Sequence, residues 1–361
     1  MRAAVISFTG WGSRLNRRIT EVMTQAGWDC QGWIQEKFSE EGDGLQVLRE
    51  SLGEWTKQAF GSCQAVIFVG ACGIAVRAIA PWMRDKLRDP AVLSVDEGGR
   101  FVIPLLSGHV GGANRLAADL AAALDAVPVI TTATDINGRF AVDVLGAENG
   151  CVLSDRELAK QVSAGVLAGE TAELFSDFPV DGNLPAGARL AGTGEDLRRM
   201  KPDRLAVWIT WSSRSRERVL RLIPRAVVLG MGCRRGIPAS QLEAEALAAL
   251  EEGGVDRRAV RAIASADLKK EEEGLKELAR MWNVPFLTFS REAMERIPGS
   301  FSSSEFVRQT AGVDCVCERA AMAAVLERKN GGFLLARKRK GRGITTALAA
   351  EFIRIQTGEQ K

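Results

Sequence analysis

The chain is 361 residues long, with 48 Lys and Arg against 45 Asp and Glu, one histidine, seven cysteines and no tyrosine. That length implies two or three domains with real cores, and 46% hydrophobic with 26% charged residues is the balance of a globular chain, which excludes wholesale disorder. A net charge of +3 is too small to point to nucleic acid, and a single histidine excludes His-rich metal sites and mechanisms needing two imidazoles.

Cys30, Cys63, Cys72, Cys151, Cys233, Cys315 and Cys317 show no framework spacing and no C-x-x-C pair, so neither a zinc site nor a dithiol motif of that kind is expected. They read as reduced packing residues of a cytoplasmic protein. The opening MRAAVISFTGWGSR is broken by glycine too early for a signal peptide. The best apolar run, Ala65–Val76, contains two glycines and ends at Arg77, short of a membrane span.

Ala3–Phe8 reads as a strand, followed by a Gly10-Trp11-Gly12 turn and an amphipathic helix over Leu15–Ala26. Ala65–Val69 is a second strand, and Ile74–Ile79 is helical up to Pro81. Ala91–Val95 and Phe101–Pro104 flank Glu97-Gly98-Gly99-Arg100, a hairpin signal. An alanine-rich helix over Ala113–Leu124 and a buried strand over Val127–Thr131 follow. In the middle, Val180–Gly194 reads as loop, Leu205–Trp211 as strand and Arg214–Arg221 as a charged stretch. Ala226–Gly230 then opens a new unit, with a helix over Pro238–Leu250, a strand over Val260–Ala264 and a helix over Glu271–Met281. Pro285–Phe289, Val316–Leu326 and Gly331–Ala336 complete it. The alternation predicts an α/β fold: two α/β domains with mainly parallel sheets flanked by helices, joined by a small middle domain. The boundaries expected are 1–148, 149–222 and 223–361.

The densest cluster of unusual residues is Ser107-Gly108-His109-Val110-Gly111-Gly112-Ala113-Asn114. Its glycines bring backbone amides close to a ligand, and the following helix points its positive end at the same place. His109 is the general acid–base candidate, because a histidine's unperturbed pKa lies near neutrality. The alternative is a satisfied turn histidine, with glycines that only end a strand and a helix. Ser107 lacks the G-x-S-x-G setting of a nucleophile. Asp96 and Glu97 sit at the turn of the hairpin whose second strand delivers this loop, and Lys86 offers an anion-binding charge. Turn acids and surface Lys–Asp pairs are equally ordinary structural features.

Gly230-Met231-Gly232-Cys233-Arg234-Arg235-Gly236 has its third glycine one place late for a dinucleotide fingerprint. Its arginines point to anion binding, and Arg337–Arg342 is a basic run expected in a solvated loop or against carboxylates. Lys269 with Glu272 resembles a helix-start ion pair, and Cys317-Glu318 reads as packing and capping.

GACGIAVRAIAP, DKLRDPAVLSVDEGGRFVIPLLSGHVGGANRLAADLAAAL and PVITTATD together resemble the cobalamin biosynthesis protein G family. LRLIPRAVVLGMGCRRG, ASADLKKEEEGLKELA, VCERAA and TTALA resemble its C-terminal part, so the likeness covers about residues 65–135 and 220–350. The resemblance implies hydrolysis of cobalt-precorrin 5A in anaerobic vitamin B12 synthesis. A ring A acetate δ-lactone is opened, and the former bridging carbon leaves with its methyl as acetaldehyde. It implies no protein cofactor and no metal site, the cobalt belonging to the tetrapyrrole substrate. Other enzymes of the pathway are candidate partners, whereas nucleic acid and membrane are not. On this reading His109, Lys86, Asp96 and Glu97 are catalytic candidates. Gly73, Arg77, Ser107, Gly108, Gly111, Gly112, Asn114, Thr131, Thr132, Asp135, Arg234, Arg235, Lys269 and Lys338 are substrate-binding candidates. The alternative within the same pathway is a non-catalytic carrier of the tetrapyrrole.

Overall fold

A computed structural model describes residues 1–39, 44–85, 88–108, 111–132, 139–201, 204–302, 315–328 and 330–357. The chain divides into two units, Met1–Arg139 and Phe140–Lys361. The first runs β1 (Arg2–Ser7), α1 (Gly10–Gln25), β2 (Asp29–Gln35), β3 (Gln46–Leu48), α2 (Leu52–Ser62), β4 (Ala65–Val69), α3 (Cys72–Ile79), β5 (Ala91–Val95), β6 (Phe101–Leu106), α4 (Ala113–Leu124) and β7 (Val127–Pro128). The sheet order is β3-β2-β1-β4-β5-β6-β7, and every neighbouring pair is parallel except β5–β6. β4 and β5 are buried along their whole length, as central strands covered by helices on both faces must be, and the one polar side chain, Ser94, donates to Gly70 O at 3.1 Å. One face packs on α1 and α4 through Ile19, Met23, Ala117 and Leu120, the other on α2 and α3 through Trp55, Ala59, Ala75 and Ile79.

Two local expectations are corrected. Gly10-Trp11-Gly12 is the first turn of α1, not a turn before it, because the Thr9 hydroxyl accepts from Gly12 N and caps the helix there. The strand expected over Val127–Thr131 is only Val127–Pro128, at the sheet edge with Val127 55% exposed. Pro128 has no N–H to extend a ladder, although Val129 N still donates to Val102 O at 2.8 Å.

The second unit runs α5 (Val142–Glu148), β8 (Cys151–Leu153), α6 (Arg156–Leu167), β9 (Ala172–Ser176), β10 (Val180–Asp181), β11 (Ala188–Gly192), β12 (Ala206–Ile209), β13 (Val219–Pro224), β14 (Val227–Cys233), α7 (Ala239–Glu252), β15 (Val260–Ala266), α8 (Glu273–Trp282), β16 (Phe286–Phe289), α9 (Arg291–Glu295), α10 (Val316–Leu326), β17 (Gly332–Gly341), β18 (Ile344–Glu351) and β19 (Ile355–Gln356). It holds two five-stranded sheets, β11-β9-β12-β13-β8 and β16-β15-β14-β18-β17, and a short β10–β19 pair. The first is parallel except for β8, and in the second β18 runs antiparallel to both β14 and β17. The fold is therefore α/β with mostly parallel sheets flanked by helices. Phe140, Val142 and Leu145 share a core with Leu174, Val207, Ile209 and Leu222. Ile223 continues into the core under Val227, Leu229 and Leu348, and Arg221 reaches Asp256 at 3.0 Å, so the two sheets are fastened to each other. The stretch expected as loop over Val180–Gly194 contains β10 and β11, and the basic run from Arg337 lies in β17 rather than in a loop. No described helix is long and apolar enough to cross a membrane.

Candidate functional site

In the first unit β6 runs antiparallel to β5, so the loop that leaves it lies at the amino end of β5. There Ser107, at φ +59°, turns the chain back on itself, and Gly112, at φ +78°, precedes α4. Ala113 N donates to Ser107 O at 3.1 Å and Asn114 N donates to Gly108 O at 3.0 Å. Glycine is required at 111 because a Cβ there would overlap the Ser107 side chain, and a Cβ at Gly108 would meet Asn114 Oδ1 at 2.7 Å. The first two helical amides are thus spent inside the loop. The positive end of the α4 dipole faces the same loop.

Two other segments are tied to this loop. Ser107 Oγ donates to Asp89 O at 3.0 Å, and the Asp89 carboxylate accepts from Arg84 N at 2.8 Å and Asp85 N at 3.1 Å. Asn114 Nδ2 donates to Thr132 Oγ1 at 2.9 Å, with Thr131 exposed beside it. The described parts of the DKLRDP, SGHVGGAN and TTATD segments therefore meet at one end of the sheet. Lys86, His109 and Asp135, which belong to these segments, lie outside the described residues.

Asp96 and Glu97 are not brought to this place. A hairpin puts its turn and the exit of its second strand at opposite ends, and β5 separates the two by about 17 Å at the usual strand rise. Asp96 Oδ1 instead closes the turn by accepting from Arg100 N at 2.8 Å and Phe101 N at 2.6 Å. Glu97 accepts from Thr9 Oγ1 at 2.7 Å. Gly73 opens α3 at the carboxyl end of β4, and the exposed Arg77 folds back beside it, 3.6 Å from where a Gly73 Cβ would stand.

In the second unit, the candidates gather where β14 and β15 end. Arg234 and Arg235 are exposed after β14. Lys269 pairs with Glu272 at 3.1 Å, and Glu272 also accepts from Gly236 N at 2.6 Å. Burial would raise the Glu272 carboxyl, but the Gly236 amide, Lys269 and Arg235 hold it below the usual carboxylate range. Burial pushes the nearby Cys233 thiol up to about 11. Lys338 donates its backbone N–H at 2.6 Å to Glu318, which is fully buried in the first turn of α10. Glu318 also accepts from Ser302 N and Ser302 Oγ, both at 2.7 Å, and these bonds outweigh burial and lower its pKa. Glu318 is the residue the sequence undervalued; a Glu beside a helix start gives no sign that it will gather three donors. Arg339 is engaged by Glu245 and Glu252, so the basic run is divided between internal pairing and exposure. Cys315 and Cys317 are fully buried with Sγ atoms 3.6 Å apart. Among the described residues, no three His, Cys, Asp or Glu side chains are placed to hold a metal.

Three family models match in order: Cobalamin synthesis G N-terminal over 54–135, Cobalamin biosynthesis central region over 140–225 and Cobalamin synthesis G C-terminus over 227–349. The chain is 38% identical over 350 residues to the cobalt-precorrin-5A hydrolase of Salmonella typhimurium, with 96% of each covered. It is 31% identical over 341 residues to the cobalt-precorrin-5A hydrolase of Priestia megaterium, with 88% of each covered. A crystal structure of a cobalamin biosynthesis protein G homolog from Sulfolobus solfataricus, 20% identical, aligns over 97% of both chains with a TM-score of 0.42.

Proposed function

The chain belongs to the cobalamin synthesis G family, and from that membership we propose that it is a cobalt-precorrin-5A hydrolase. In this reaction water opens the ring A acetate δ-lactone and the bridging carbon leaves with its methyl as acetaldehyde. Water adds to the lactone carbonyl, giving the acetate and a secondary alcohol. Loss of the alcohol proton forms the acetaldehyde C=O as the C–C bond breaks, and the electron pair left on the macrocycle takes up a proton. One water is consumed, and the tetrapyrrole and acetaldehyde account for every atom. The cobalt arrives in the substrate, so the reading needs no resident cofactor.

The observation that supports placing this chemistry in the first unit is the meeting of three segments at the amino end of β5, through Ser107–Asp89 and Asn114–Thr132. In the proposal His109 takes the proton from water and later from the alcohol. The Gly111 and Gly112 amides, with Lys86, hold the oxyanion. Asp96 is assigned a turn-closing role instead, and Glu97 the acceptance of the Thr9 hydroxyl. In the second unit Arg234, Arg235 and Lys338 are proposed, by themselves, as a cationic group suited to carboxylates, for which guanidinium groups are well shaped.

The test is anaerobic acetaldehyde release from cobalt-precorrin 5A by the wild type and by His109→Gln. The expected result is release by the wild type and a loss of ~100-fold or more in the variant. Equal release by both would remove His109 from the mechanism and leave the function. Tight binding of the tetrapyrrole without release would overturn the hydrolase in favour of a carrier.

A further inference from the structure

Asn114 makes more contacts than a helix-start residue needs. It is 7% exposed, its amide holds Gly108 O, its carboxamide fills the space over Gly108, and its Nδ2 donates to Thr132 Oγ1 at 2.9 Å. An amide nitrogen is a donor only, so in this contact the threonine oxygen must accept. The hydroxyl proton of Thr132 is then turned away from Asn114. Among the described residues no acceptor takes it. A half-buried donor of fixed direction therefore stands where the three segments meet.

We propose that Asn114 is a positioning residue that makes Thr132 a fixed hydrogen-bond donor to the lactone carbonyl oxygen, where negative charge develops as water adds. This rests on the hydrolase reading above. A donor aimed at a developing oxyanion stabilises the transition state more than the ground state, so it acts on kcat rather than KM.

The experiment compares anaerobic acetaldehyde release by the wild type, Thr132→Val, Thr132→Ser, Asn114→Asp and the Asn114→Asp/Thr132→Val pair. Thr132→Val is expected to lower kcat ~10- to 100-fold with little change in KM, and Thr132→Ser to stay near wild type. Asn114→Asp replaces the donor by an acceptor and draws the hydroxyl proton inward, so it should match Thr132→Val. The pair should be no slower than the worse single variant. Measured as a ratio to the wild type at the same pH, the activity of Asn114→Asp should also recover as pH falls through the carboxyl range, because a protonated Asp donates again. A purely structural role for Asn114 would give no such acid recovery. Wild-type kcat in Thr132→Val, or independent losses in the pair, overturns the proposal while the hydrolase stands. If Asn114→Asp does not fold, the Thr132→Val and Thr132→Ser comparison still decides. A folded wild type that releases no acetaldehyde removes the hydrolase reading and this proposal with it.

Discussion

Gly111 is the residue on which the shape of the loop turns most directly. Its α-carbon passes so close to Ser107 that a Cβ would overlap the Ser107 side chain, and Ser107 is itself held at φ +59°. Left-handed backbone at a non-glycine residue costs on the order of 1 kcal/mol, and it persists because Ala113 N and Asp89 O hold the serine from both sides. Gly111→Ala must push Ser107 out of that position and break its bond to Asp89. The expected outcome is a loss of activity of at least ~10-fold with a melting temperature lowered by only a few degrees, since the main core is untouched. Gly112→Ala offers a contrast. Its φ of +78° makes alanine strained, but nothing lies within 4 Å of its Cβ position. Steady-state kinetics and thermal melting of both variants check this, and a fully active Gly111→Ala would show that the tight turn is dispensable.

At the scale of elements, α10 shows how a helix can be buried on nearly every side and still carry a charge. Residues Ala320–Val325 are all buried, and the helix lies so close to β14 that a side chain at Gly230 would overlap the Cys317 carbonyl. In its first turn Glu318 joins Ser302 and Lys338 to the helix. Charge-assisted bonds to a buried carboxylate are worth more than neutral ones, so Glu318→Gln should cost about 3 kcal/mol of stability. Because the folded pKa of Glu318 is lowered, its contribution is fully present above the unfolded value and is lost as pH falls through the folded one. Denaturant titrations between about pH 6 and pH 3 should therefore show a shallower acid loss for Glu318→Gln than for the wild type. Elements like α10, β4 and β5 were legible from sequence because long apolar or alanine-rich runs leave few alternatives. β7 was read too long and as buried, and β10 and β11 were missed, since short strands with exposed or half-buried faces carry little pattern. SGHVGGAN announced itself by its glycines, and the hairpin signal at Glu97–Arg100 already implies an antiparallel β6, so the separation of Asp96 and Glu97 from that loop was legible too; that the Asp89 and Thr132 segments join the loop was not.

For the whole molecule, the seven cysteines form a natural set of reporters, because they are spread through both units. Cys30 belongs to the first unit, Cys151 borders the core of one sheet in the second, and Cys233 borders the core of the other. Burial pushes the Cys30 thiol up to about 11, Cys151 up to about 12 and Cys233 up to about 11. Only the thiolate reacts with alkylating reagents, so at pH 8 each should label ~100-fold or more slowly in the folded protein than after unfolding. Cys315 and Cys317, fully buried against each other, should stay unlabelled until their unit opens. The cooperativity of the second unit can be read from the same labels. Its two sheets share the Ile223 core and the Arg221–Asp256 pair, whose side chains are 8% and 12% exposed. Separating the sheets would expose the apolar core that Ile223 shares with Val227, Leu229 and Leu348, so neither sheet should open alone. Site-resolved alkylation across a urea titration is expected to give coincident midpoints for Cys151 and Cys233, with Cys30 free to follow its own curve. A Cys151 midpoint well below that of Cys233 would show that the sheet bearing β8 unfolds as an independent domain, and the contacts through Arg221 would then be too weak to couple them.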